Sequence, residues 1–124
     1  MEKVSTGGLA PWQVELTLKS LLRDLCADCP VGELAHRCGL SRSYFTRAFR
    51  ISVGTPPHRW LVRQRVRRAC EMLERSDENI SAIAFLCGFA DQSHLTRMFR
   101  AAVGTSPAAW RRLRRAGVTP RVAT

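Results

Sequence analysis

The sequence repeats itself. Residues 31–60, VGELAHRCGLSRSYFTRAFRISVGTPPHRW, align with residues 80–110, ISAIAFLCGFADQSHLTRMFRAAVGTSPAAW, once one extra residue is allowed near Asp91. Thirteen aligned positions are identical: Ala35/Ala84, Cys38/Cys87, Gly39/Gly88, Ser43/Ser93, Thr46/Thr96, Arg47/Arg97, Phe49/Phe99, Arg50/Arg100, Val53/Val103, Gly54/Gly104, Thr55/Thr105, Pro57/Pro107 and Trp60/Trp110. Two copies with no third are too few for a solenoid or a propeller. A chain of 124 residues has room for one ordinary domain or two very small ones, so the repeat reads as two small related modules.

Each module reads as helices. Val31, Leu34, Ala35 and Cys38 fall at i, i+3, i+4 and i+7, as do Ile80, Ile83, Ala84 and Cys87, giving one apolar stripe per short helix. Gly39 and Gly88 follow these stripes and end them, because glycine takes the left-handed conformation at a helix C-terminus without steric cost. Ser41 and Asp91 are then N-caps for a second helix. Its core positions are Phe45, Ala48 and Phe49 in the first copy, and Leu95, Met98 and Phe99 in the second. Helix, glycine turn and helix make a helix-turn-helix unit.

The rest of the chain fits around these units. Leu18, Leu21, Leu22 and Leu25 predict an amphipathic first helix that Trp12 and Val14 extend. Val62, Val66, Ala69, Cys70 and Leu73 mark one face of a helix over 57–75, with Arg67, Glu71 and Arg75 spaced for i, i+4 pairs on its outside. Thr55-Pro56-Pro57 and Ser106-Pro107 put proline where a first helical turn tolerates it, and Asn79 caps the helix opening at Ile80. The last helix holds Trp110 and Leu113 and stops at Gly117 and Pro120. The expectation is an all-α fold of seven helices. Two helix-turn-helix subdomains, 12–56 and 76–116, are joined by a linker helix at 57–75, with a flexible start or cut linker at 1–11 and a tail at 117–124.

The identical positions divide by chemistry. The small, aromatic, glycine and proline identities are scaffold, whereas Ser43, Thr46, Arg47 and Arg50, with Ser93, Thr96, Arg97 and Arg100, form a polar stripe opposite the phenylalanines. Charge gives that stripe a partner. The formal net charge is +10; residues 1–30 carry −1 and residues 31–124 carry +11, and only Lys3 and Lys19 of the twenty basic residues are lysine. Arginine's planar fork matches phosphate oxygens and guanine edges, so a polyanion, nucleic acid before an acidic membrane surface, is the expected ligand.

An α-helix fits the major groove of B-DNA, where an arginine donates twice to guanine O6 and N7 and a glutamine pairs with adenine. Arg47, Arg97 and Gln92 are therefore candidates for direct readout, and Ser43, Thr46, Ser93 and Thr96 for short contacts to base edges. Arg50 and Arg100, a turn further on, are placed for phosphates, with Arg37, Arg42 and His94 as further candidates. Helix-turn-helix proteins commonly dimerise on palindromes. Here one chain carries two different readers, which predicts a monomer on an asymmetric site covering two adjacent major grooves. The linker helix would span roughly 28 Å at 1.5 Å per residue.

GFADQSHLTRMFRAAVGTSPAAWRR, residues 88–112, resembles the signature of the AraC/XylS family of bacterial transcription regulators, and RVRRACEMLE, residues 65–74, resembles its linker helix. The resemblance runs over 14–112, nearly the whole chain. It implies seven helices with two helix-turn-helix motifs joined by a rigid helix. It also implies base contacts at Ser43, Thr46 and Arg47 in the first motif and at Gln92, Ser93, His94, Thr96 and Arg97 in the second. Contact with RNA polymerase and activation of transcription are what such a regulator is expected to bring. The chain is similar to the short stand-alone members; the alternative is the DNA-binding fragment of a longer effector-responsive regulator.

Other functions are weaker. Cys26-Ala-Asp-Cys29 has redox or half-zinc-site spacing, but Cys38, Cys70 and Cys87 stand apart in sequence and supply no second pair, so no metal or cofactor is expected and a metal- or redox-sensing regulator is disfavoured. His36, His58 and His94 lie in different elements without a nucleophile or carboxylate at a suggestive spacing, and no phosphate-binding glycine loop occurs, so no enzyme is expected. A non-specific nucleic-acid or RNA binder lacks its stacking platform, because the aromatics fall on core faces. Without an apolar run long enough to span a bilayer or an N-terminal signal pattern, the expected location is the cytoplasm, on the nucleoid when bound.

Overall fold

In the computed structural model, which describes residues 7–118, the chain forms seven α-helices and, among the described residues, no strand. They are α1 (Pro11–Arg23), α2 (Val31–Arg37), α3 (Arg42–Val53), α4 (Pro57–Arg75), α5 (Ile80–Leu86), α6 (Gln92–Val103) and α7 (Pro107–Arg115). The parts of the expected start and tail at 1–6 and 119–124, Pro120 included, lie outside the described residues. The chain divides into two units between Leu61 and Val62, inside α4.

In the first unit the stripe of α2 does what its periodicity predicts. Leu34, Ala35 and Cys38 are buried with Phe45, Ala48 and Phe49 of α3 and Leu21 of α1, and Trp60 of α4 packs against them. Phe45 and Phe49 are fully buried, each such ring stabilising the fold by about 2–3 kcal/mol. The turn between α2 and α3 is a Schellman closure: Gly39 N donates to His36 O at 3.0 Å and Leu40 N to Ala35 O at 2.9 Å. This pairing needs a left-handed residue at 39, and Gly39 has φ +73°. Ser41 Oγ then accepts the Tyr44 N–H at 3.2 Å and starts α3.

The first helix departs from expectation at both ends. α1 stops at Arg23, so Leu25 lies beyond it, and Leu22 is half exposed. The cause is Asp24, whose carboxylate accepts the Cys26 N–H at 3.0 Å in a local turn that competes with a further helical turn. At the other end Leu9, expected within a flexible start, is buried, and its N–H donates to Ser52 Oγ on α3 at 2.7 Å. Gln13 ties α1 to the end of α2: its Oε1 accepts the Ala10 N–H at 2.7 Å and its Nε2 donates to Cys38 O at 3.0 Å.

The second unit repeats the plan. Ile83, Ala84 and Cys87 of α5 are buried with Leu95, Phe99 and Val103 of α6, Val66, Ala69 and Leu73 of α4 and Trp110 of α7. Asn79 and Asp91 cap α5 and α6 through bonds of 2.7 Å each, from Ala82 N and His94 N. Ser106 caps α7 ahead of Pro107. The bonds Gly88 N to Phe85 O and Phe89 N to Ala84 O repeat the Schellman turn of the first unit. The expected pairing among Arg67, Glu71 and Arg75 is absent from the ion pairs of the described residues. Glu74 of α4 is engaged instead by Arg114 of α7 at 2.7 Å.

Candidate nucleic-acid interface

The two glycine turns fix which faces of α3 and α6 remain outside. With the Phe49 and Phe99 sides sunk in their cores, Ser43, Arg47 and Arg50 are exposed on α3, and Gln92, Ser93, Arg97 and Arg100 on α6. Thr46 and Thr96 are half-buried at the rim of the same faces. Each stripe is thus assembled on one helix of one unit, as the sequence predicts. Neither helix contains an acidic residue. Among the described residues no ion pair engages Arg47, Arg50, Arg97 or Arg100, so their guanidinium groups are available to an anion.

The remaining predicted residues are placed differently. Arg37 ends α2 with its Nη1 donating to Ser20 Oγ of α1 at 3.2 Å, aside from the stripe. Arg42 opens α3 and lies over Gly32, whose added Cβ would meet the guanidinium carbon at 3.5 Å. His94 is half-buried at the third position of α6. Its Nδ1 accepts the Ala90 N–H at 3.2 Å, and its ring meets the Phe89 ring edge-on at 5.3 Å.

Part of the arginine excess serves the fold, which composition alone does not reveal. Arg111 donates from Nε to Leu73 O at 3.0 Å, from Nη2 to Ser76 O at 3.1 Å and from Nη1 to Glu78 O at 2.7 Å. It therefore caps the C-terminus of α4 and the turn that follows, where a cation is favoured by the helix dipole. Arg114 pairs with Glu74 and stacks over the Trp110 ring at 5.4 Å, and Arg115 pairs with Asp77 at 2.8 Å. No spacing within the sequence marks their hydrogen-bond and ion-pair partners, which are 33–40 residues away.

Cys38 and Cys87 are buried in the two cores, and no group of three or more His, Cys, Asp or Glu side chains able to hold a metal occurs among the described residues. Burial pushes the Cys70 thiol up to about 11, with the nearby Arg114 guanidinium pulling it the other way. No helix among the described residues is long and apolar enough to cross a membrane.

Residues 34–113 match a family model described as a helix-turn-helix domain. The chain is 42% identical over 59 residues to the HTH-type transcriptional regulator Rv1931c of Mycobacterium tuberculosis, covering 48% of this chain and 23% of that protein. It is 38% identical over 61 residues to the transcriptional activator RhaS of Klebsiella pneumoniae, covering 49% of this chain and 22% of that protein. Over 86 residues, 69% of this chain and 28% of the relative, it is 31% identical to an AraC-like transcription regulator of Streptomyces lividans. The matched segments thus span about a quarter of the length of these relatives. Among solved structures, the DNA-binding domain of the global transcriptional factor AdpA, in complex with a target DNA, superposes with a TM-score of 0.77 at 37% identity, covering 85% of this chain and 95% of that one. An AraC-type regulator of Chromobacterium violaceum shares the fold, with a TM-score of 0.75 at 22% identity over 82% of this chain and 91% of that one. Two copies of one helix-turn-helix plan, each with an exposed arginine-bearing second helix, and a family match over most of the chain give one conclusion: the chain belongs to the AraC/XylS family of helix-turn-helix transcription regulators.

Proposed function

We propose that the chain, as a monomer, recognises an asymmetric duplex site by inserting α3 and α6 into two adjacent major grooves, and that it activates transcription through contact with RNA polymerase. The observation that carries this reading is the duplicated stripe: Ser43, Thr46, Arg47 and Arg50 recur as Ser93, Thr96, Arg97 and Arg100 on two outward helix faces without an acid. In this reading Ser43, Thr46, Arg47, Gln92, Ser93, His94, Thr96 and Arg97 contact base edges. Arg42, Arg50 and Arg100 contact phosphates, and Arg37 joins them by leaving Ser20. The AdpA domain, solved on its target DNA at 37% identity, supports the groove-binding part of the proposal, and the activator RhaS, at 38%, supports activation. A protein doing this works in the bacterial cytoplasm, on the nucleoid.

Selection of bound duplexes from a random library is the direct test. The expected product is a non-palindromic site with two short readable blocks. Arg97→Ala then weakens binding by about 1–3 kcal/mol and relaxes one base position, whereas Arg100→Ala weakens all sequences alike and lowers the salt slope by about 0.9. Equal affinity for selected and random duplexes at raised salt would sink the proposal.

A further inference from the structure

The one-residue difference between the two modules falls beside the reading helix. Ser41 and Asp91 cap α3 and α6 in the same way, so the extra residue of the second module is Ala90, immediately before the cap. In the first module the Leu40 N–H closes the Schellman turn onto Ala35 O, and in the second the Phe89 N–H does the same onto Ala84 O. Ala90 therefore brings a backbone N–H that has no counterpart in the first module. It points at His94 Nδ1, 3.2 Å away. At the same time the His94 backbone N–H is held by Asp91 Oδ1 at 2.7 Å, and the imidazole is braced edge-on against Phe89 at 5.3 Å.

We infer that His94 is a specificity-determining residue that reads a hydrogen-bond acceptor on a base edge through Nε2–H, its tautomer set by the Ala90 N–H. A neutral imidazole has one donor and one acceptor nitrogen, and the acceptor must be Nδ1, because it faces an N–H. Nε2 then carries the proton. Among the described residues the fully buried side-chain atoms without a partner are Thr55 Oγ1 and Trp110 Nε1, so the Nε2 of the half-buried His94 is not sealed in the core. His94 is in the first turn of α6, the end of a reading helix that enters the groove, and three residues before Arg97 on the same surface. An Nε2–H there accepts no bond from cytosine N4 or adenine N6; it selects guanine O6 or N7, adenine N7 or thymine O4. The aligned Tyr44 of α3 carries a rotatable hydroxyl that donates or accepts, so the two modules differ in selectivity at this position although Ser, Thr and both Arg positions coincide.

The inference rests on the groove reading proposed above, and the experiment separates the two. In the selected duplex, purines are replaced singly by their 7-deaza analogues, guanines also by 6-thioguanine, and thymines by 4-thiothymine, each of which removes or weakens one major-groove acceptor. Affinities are measured for the wild type, His94→Phe, His94→Gln and Arg97→Ala, with circular dichroism melts to establish that each variant folds. The expected result is one position, next to the base read by Arg97, where the analogue weakens the wild type about tenfold and His94→Phe less than twofold. His94→Gln, which can accept from Ala90 through its carbonyl and donate through its amide, restores sensitivity at that position. Equal analogue effects in wild type and His94→Phe, with Arg97→Ala still coupled to its own base, would overturn the assignment of His94 alone. So would coupling only to a methylphosphonate, which would put the donor on the DNA backbone. Absence of coupling for both His94 and Arg97 would overturn the groove reading along with the inference.

Discussion

Replacing Arg111 with methionine separates the charge that holds the fold from the charge that meets a ligand. Methionine keeps most of the aliphatic packing of the stem and removes three charge-assisted bonds, to Leu73 O, Ser76 O and Glu78 O at 2.7–3.1 Å. A bond to a charged group contributes about 1.5–3 kcal/mol. The three share one half-buried guanidinium, and water reaches the Ser76 and Glu78 carbonyls once it is gone, so their contributions do not add. The expected loss is about 2–3 kcal/mol in total, including the smaller term for a cation at the C-terminus of α4. Urea unfolding followed by circular dichroism reads this as a fall in midpoint of about 1 M at a slope of 2 kcal/mol per molar. The salt dependence of DNA binding should be unchanged, because Arg111 is spent on carbonyls, whereas Arg100→Ala should alter that slope and leave the midpoint in place. A stability loss under about 0.5 kcal/mol, or a salt slope that falls with Arg111→Met, would refute the division.

Two further perturbations test the local physics. Gly39→Ala meets no atom within 4 Å but must hold φ near +73°, so it should cost roughly 1–2 kcal/mol from backbone strain alone; an unchanged melting temperature would count against the left-handed turn. The Cys70 thiol titrates near 11 in the fold against an ordinary 9.0. Between those values the unfolded chain loses a proton that the folded chain keeps, so this contribution to stability is complete below pH 9 and is lost as pH rises through the window to 11. Wild type should therefore lose stability faster than Cys70→Ala between pH 9 and 11 in urea melts, and equal slopes would contradict it.

Features fixed by neighbours in sequence were legible. Ser41, Asn79 and Asp91 each cap the helix that begins one residue later, because a short polar side chain reaches the N–H three positions on; Ser106, read only for the proline after it, does the same. The glycines after α2 and α5 were legible for the same reason. Periodicity misled at Leu25, where the apolar spacing continues but Asp24 diverts the backbone into its own turn. It was silent about Leu9, a single apolar residue in a segment with no stripe, which is buried through contacts with α3 some forty residues away. The polar stripes were legible because duplication displays them twice. The sequence named His94 as a contact residue but not the bond its Nδ1 accepts from the Ala90 N–H, because that bond is a property of the turn.

The same distinction changes what the net charge means. Of the +11 carried by residues 31–124, Arg111, Arg114 and Arg115 are committed to carbonyls and carboxylates of the second unit, and Arg65 is buried at 6% exposure. A count of arginines therefore overstates the charge available to phosphates. What the fold leaves outside the ion pairs on α3 and α6 is the matched pair of arginines on each helix and, on α3, Arg42 as well. The matched pairs coincide between modules, as do Ser43 and Ser93, while two other first-turn positions do not: Arg42 and Tyr44 stand where Gln92 and the half-buried His94 stand. Neither core covers Arg42, Tyr44 or Gln92, since burial on both helices falls on the Phe49 and Phe99 sides, whereas His94 rests edge-on against the core residue Phe89. In the proposed reading, shared arginines supply affinity that both modules need, and the divergent first turn is where two copies of one scaffold acquire different base preferences.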